Sequence, residues 1–246
     1  ELTFIGLGGL DDMKLNEKAT SDDAEYILSY LPTIKQETFT LGTVYKHYNK
    51  KHTQTVVLSH SYLNNRNTKY QNNDDSQSDY LRLKYKSVEQ ESKFRFENLA
   101  RIGNWKINAG LNIDYVQYEN TSFQRLFLQG TDIDLNYDTD LNFAKWGVFS
   151  NADYISSNER FKASLGIRTH ASSYSSNTNK LYKQISPRVS LSYRLVNNLN
   201  ASINAGRYFQ LPPLTALGFK NNKGVYVNKE LNYSIVNQLS GGFNYT

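Results

Sequence analysis

Five oxygen-bearing side chains alternate through Asp132, Asp134, Asn136, Asp138 and Asp140. Clustered carboxylates are hard-cation ligands, and an EF-hand loop opens with oxygens at similar spacing. That loop also needs Gly at its sixth position and Glu at its twelfth, where this chain has Tyr137 and Phe143. Two readings stay open: a loose calcium site on an outer loop, built from Asp132, Asp134, Asp138 and Asp140, or an edge strand whose acids all face water. No other cofactor is expected.

A second set is basic. Lys162, Arg168, His170, Arg188 and Arg194 all occupy even positions, and Tyr208 and Gln210 share that parity. On extended chain, residues of one parity line one face. The set would then line a path for an anionic ligand, with Tyr208 and Gln210 near its mouth. The competing reading pairs the cations with acids of the same face, such as Asp114 and Asp153. His47, His52, His60 and His170 have no metal-ligand spacing, and no nucleophile elbow is present. The chain is therefore read as a non-enzyme, with a small-barrel protease or lipase as the alternative.

The elements that must position these residues are strands. In Ser186 to Pro213, Val189, Leu191, Tyr193 and Leu195 alternate with Arg188, Ser190, Ser192 and Arg194. After Asn197 and Asn198 the pattern resumes, with Leu199, Ala201, Ile203 and Ala205 against Asn200, Ser202, Asn204 and Gly206. A period of two joined by a tight turn is a β-hairpin. The same alternation predicts strands over 1–8, 33–48, 53–63, 79–101, 105–118, 144–155, 161–169 and 238–246, the last ending in Thr246. A short helical turn is expected at Asp22 to Tyr30. Within 79–101, Leu81, Leu83 and Tyr85 are apolar on odd positions but Phe94 and Phe96 on even ones, which predicts a bulge near Glu89 to Ser92.

The connections sort by length. Short ones at Asn49, Gly103, Ser156 and Asn197 alternate with long polar ones at 9–32, 64–78, 119–142, 170–185 and 211–236. Short turns on one rim and long loops on the other mark a transmembrane outer-membrane barrel.

Composition agrees. Only 39% of the 246 residues are hydrophobic, but there are 19 Tyr and 12 Phe, types that suit a membrane interface. No apolar run reaches the roughly 18 residues of a membrane-spanning helix. With no cysteine, disulfide and thiolate-metal chemistry are excluded. The charge of +5 is spread without a basic stripe, so no nucleic-acid partner is expected.

The ordered segments FIGLGGLDD, LPTIKQETFTLGTVYKHY, AKWGVFSNADY (Ala144 to Tyr154), LGIR (Leu165 to Arg168), SPRVSLSYRL (Ser186 to Leu195) and GRYFQLPPL (Gly206 to Leu214) resemble the barrel of TonB-dependent outer-membrane receptors, notably of the Bacteroidetes type. The resemblance implies a ~22-stranded antiparallel barrel around a plug. It also implies location in the outer membrane and import of a scarce nutrient (siderophore, cobalamin, glycan or peptide). Its partners would be outer-membrane lipid, the receptor's own plug domain, the TonB complex and a surface lipoprotein. Residues 1–246 would be one all-β, up-and-down piece of about ten strands. The plug, TonB box, signal peptide and terminal aromatic strand are not expected in it. Under this resemblance the basic set has a further reading, contact with the plug. The rivals are a passive pore or complete small barrel, whose first and last strands would pair, and a non-transporting structural or binding component of an envelope complex.

Overall fold

A computed structural model describes residues 1–15, 21–128, 130–221 and 223–245. Alternation along the chain becomes ten antiparallel strands: Leu2–Met13 (β1), Thr33–Tyr48 (β2), His52–Tyr70 (β3), Leu81–Ile102 (β4), Trp105–Leu128 (β5), Thr131–Ile155 (β6), Phe161–Ser172 (β7), Ser186–Val196 (β8), Leu199–Gln210 (β9) and Ser234–Tyr245 (β10). Each pairs with its sequence neighbours, so spatial order equals chain order. The helical turn forms as expected over Asp22–Tyr30 (α1). Within the preceding connection residues 16–20 lie outside the described residues, as does Thr246 at the end of the last strand. β1 and β10 stand at opposite edges of an open sheet, which is not the pairing a complete small barrel expects.

Short connections of residues 49–51, 103–104, 156–160 and 197–198 lie on one rim. The other rim carries the connections that follow Met13, Tyr70, Leu128, Ser172 and Gln210. There the expected loops at 64–78 and 119–142 are corrected. β3 runs on to Tyr70, β5 to Leu128, and β6 begins at Thr131, so strand pairing takes up most of what was read as loop. Polar composition alone does not break a strand when water faces it on one side and a neighbouring strand satisfies its backbone.

The two faces differ in chemistry. On β5, Trp105, Ile107, Leu111, Ile113 and Tyr115 share one side. Their span of ten residues, tilted as in barrels, corresponds to about 25 Å, the height of a lipid-facing band. Trp105 packs on Tyr154, and Tyr154 on Phe161, at the short-turn edge of this band, with ring centroids 4.9 and 6.3 Å apart. The opposite face carries a groove lined by residues from β3 through β8.

The bulge expected near Glu89 to Ser92 is not present. β4 pairs with β5 in one unbroken register from Leu83↔Gln124 to Ile102↔Trp105. The irregularity in β3·β4 lies instead at Lys69/Tyr70. What changes along β4 is the surroundings. Near the short-turn rim the outer side carries Phe94 and Phe96, and toward the long-loop rim the inner side carries Leu83 and Tyr85. β5 makes the same exchange one residue past Tyr115, where Val116 and Tyr118 are 3% and 2% exposed on the inner side. Leu141 and Phe143 of β6 join them, with Tyr174 and Leu217 from two long connections. Above the lipid band the outer side meets water, while the inner side is covered by chain, so the apolar parity swaps without a bulge.

Candidate functional site

On the inner face a groove of ≈ 480 Å³ is lined by Lys93, Arg95, Asp114, Phe149, Arg168 and Arg188, among others. Register places the cations: Arg188 of β8 opposes Gly166, two residues before Arg168 of β7, and Arg168 opposes Phe149 of β6. Arg95 of β4 opposes Asn112 and Lys93 opposes Asp114. Three strands, β4, β7 and β8, thus deliver four positive charges to one depth of the wall.

Two of these charges are held by the same local device. Gly110 lacks the Cβ that would lie 2.7 Å from the Phe149 ring, so the ring lies flat on the wall. Arg95 stacks on that ring at 5.1 Å. Likewise a Cβ on Gly206 would meet the Tyr208 ring at 3.0–3.2 Å, and Arg188 stacks on Tyr208 at 4.6 Å. Cation–π contact fixes a guanidinium without neutralising it.

Acids of the face engage two of the four groove cations, Lys93 and Arg95. Glu91 takes Lys93 at 2.7 Å and Lys145, and Lys145 reaches Asp114 at 3.7 Å. Glu97 takes Arg95 at 2.7 Å. Asp153 accepts hydrogen bonds from Asn151 and Ser164, each at 2.7 Å. Among the described residues no carboxylate lies within ion-pair distance of Arg168 or Arg188, so the expected pairing of these two with Asp114 or Asp153 is not what the wall shows. They are the uncommitted cations of the groove.

The other expected residues scatter. Lys162 opposes Ser192 and Arg194 opposes Asn200, close to the short-turn rim and apart from the groove. Gln210 ends β9 above the groove. The His170 ring packs against Tyr233 at 4.8 Å and Phe209 at 6.4 Å, beneath a long connection. Lys93 and Arg95 were not singled out from the sequence. Their signal was the parity of Glu89, Glu91, Lys93, Arg95 and Glu97 against Phe94 and Phe96.

The carboxylate series does not converge. Asp132, Asp134, Asp138 and Asp140 lie along one side of β6, and eight extended residues separate the first from the last by about 26 Å. Arg82 holds Asp132 at 3.3 Å, and Arg125 grips Asp134 with two bonds of 2.7 and 2.9 Å. Arg125 keeps the Asp134 carboxyl below the usual carboxylate range. The four acids belong to a paired strand and not to a loop, and no cluster of metal-ligating side chains occurs among the described residues.

Over the groove's outer end lies the 211–233 connection. Two prolines, Pro212 and Pro213, end the β9 ladder, and Leu214–Leu217 forms a short helix (α2). Leu217, fully buried, plugs into the cluster of Val116, Tyr118, Leu141, Phe143 and Tyr174. The Tyr174 hydroxyl reaches the carbonyls of Leu217 and Asn228 at 2.9 and 3.3 Å. Thr139 Oγ1 donates to Gly218 O at 2.5 Å, and Tyr226 Oη to Asp140 O at 2.8 Å. The long connection is fastened to the wall's inner side.

A family model described as "TonB dependent receptor-like, beta-barrel" matches residues 6–246. The chain belongs to that family. A member of the TonB-dependent receptor-like barrels resides in the outer membrane, which fixes lipid as the solvent of the apolar face. Three solved structures share the fold. The copper transporter OprC aligns with TM-score 0.63 and 13% identity, over 87% of this chain and 37% of its own. BauA, the ferric preacinetobactin receptor from Acinetobacter baumannii, gives 0.50 and 11%, over 86% and 35%. The siderophore receptor PirA from the same organism gives 0.50 and 9%, over 100% and 45%. The TonB-dependent receptor-like chain therefore spans less than half the length of each. A comparison with curated proteins finds no match.

Proposed function

We propose that this wall belongs to an energy-coupled receptor importing a scarce, anionic nutrient complex of the siderophore type. The observation that carries the reading is the pair Arg168 and Arg188, facing the groove from adjacent strands with no carboxylate among the described residues within ion-pair distance. Arg188 stacks on the Tyr208 ring at 4.6 Å. A planar guanidinium in a half-buried cleft recognises carboxylate or similar oxyanions by paired hydrogen bonds. The siderophore receptors among the structural neighbours, named above, are consistent with such a ligand. Gating by a plug domain and coupling to the TonB complex complete the mechanism, and a surface lipoprotein would cap it from outside.

Deleting the whole gene and growing cells on single limiting sources tests this. Growth should fail on one anionic ferric complex and be restored by the wild-type gene. Normal growth on every iron source, cobalamin and glycan tried would contradict it.

A further inference from the structure

We propose that the lipid-facing side of β7–β10 carries a binding site for one anionic, phosphate-bearing lipid of the outer leaflet, headed by Arg207. Outer-side positions on these strands are Phe161, Leu165, Val189, Leu191, Ile203 and their like. Arg207 is the single charged residue among those described there. A charge facing lipid is costly unless it is near the interface or paired, and its presence marks a functional position.

Arg207 is eight residues along β9 from Leu199 at the short-turn rim. At barrel tilt that is about 20 Å up a band about 25 Å tall, so the guanidinium sits at the outer headgroup boundary. Its Nε–H donates to Asn237 Oδ1 at 2.8 Å. That bond orients the fork, and among the described residues neither terminal nitrogen meets a carboxylate. Both are free for a phosphate, which a guanidinium binds bidentately.

Below the arginine runs a groove of ≈ 650 Å³, walled by Ala152, Leu165, Ile167, Val189 and Ala205. The register aligns Ala152, Leu165, Val189, Ala205 and Leu239 in one row across the sheet. Ala205, small between Val189 and Leu239, leaves a shallow furrow beside Arg207 in which acyl carbons can lie. An apolar furrow headed by an unneutralised cation at headgroup height is complementary to a lipid with a net negative head. A zwitterionic head also carries a phosphate, but its own ammonium competes with the arginine for it, whereas an anionic head leaves the phosphate to the arginine.

The test uses the full-length receptor in phosphatidylcholine nanodiscs doped with phosphatidylglycerol. Lipids retained after detergent release are counted by native mass spectrometry. Wild type should keep one phosphatidylglycerol, enriched about tenfold over phosphatidylcholine, as charge-assisted pairing implies. Arg207→Gln should abolish the enrichment and Arg207→Lys should keep part of it. Ala205→Trp, which fills the furrow but keeps the charge, should abolish it too. Equal retention of both lipids by wild type, or enrichment unchanged in Arg207→Gln, would overturn the site. Displacement by excess inorganic phosphate would overturn the role of the furrow.

Discussion

The Arg188 guanidinium lies 4.6 Å from the centre of the Tyr208 ring, and that ring occupies the space left by the missing Cβ of Gly206. A glycine, an aromatic and an arginine on two adjacent strands thus act as one device. Gly110, Phe149 and Arg95 repeat it across the groove.

Arg168→Gln and Arg188→Gln should each weaken ligand binding by about 10- to 100-fold, the worth of hydrogen bonds to a charged group. Lys162→Gln and Arg194→Gln, near the short-turn rim, should leave it unchanged. Titration calorimetry on the purified receptor separates the two classes.

Gly206→Ala should act through Arg188. A new Cβ forces the Tyr208 ring aside, and the loss of cation–π support, about 0.5–2 kcal/mol, should weaken binding several-fold. Tyr208→Phe keeps the ring and should bind as wild type. A Gly206→Ala variant with unchanged affinity would separate the ring from the arginine.

Leu217→Ala removes the side chain at the centre of the apolar cluster under the 211–233 connection. Leu→Ala in a buried site costs about 2–5 kcal/mol, which should appear as local release. Hydrogen exchange at 211–233 should accelerate strongly, while β5 and β6 within the lipid band stay protected.

The β5–β6 tip should loosen in acid. Asp134 is held below the usual carboxylate range by Arg125, so the folded state favours the ionised form. Its stabilisation is present above the unfolded value of about 3.9 and is lost as pH falls through the lower folded value. Protection factors at 125–128 and 130–134, which divide out the pH dependence of intrinsic exchange, should therefore be flat from neutral pH down to about 4 and fall below it. Arg125→Gln should remove that step.

Much of this was legible because the strand period writes itself into sequence. The hairpin turn at Asn197 and Asn198, the short rim and helix α1 all fall where alternation and turn residues put them. What alternation did not disclose is which medium faces each side. Leu83 and Phe94 sit on opposite parities of one regular strand because lipid gives way to water outside, and covering chain appears inside. Read as a constant environment, that change mimics a bulge. The Asp132 to Asp140 series left two readings open for a related reason, since acids on a paired strand and acids in a loop share a composition. The cation groove was half visible: Arg168 and Arg188 shared a parity, but only the register brings Lys93 and Arg95 from β4 to the same depth.

The most direct measurement is uptake of a radiolabelled anionic ferric complex by cells carrying the full-length receptor, with and without Arg168→Gln/Arg188→Gln, and with and without a protonophore. The predicted result is uptake by wild type alone, reduced at least about tenfold by the double substitution and abolished by the protonophore, while the receptor remains in the outer membrane. Uptake that is equal in the double variant, or that persists without energy, would contradict the account.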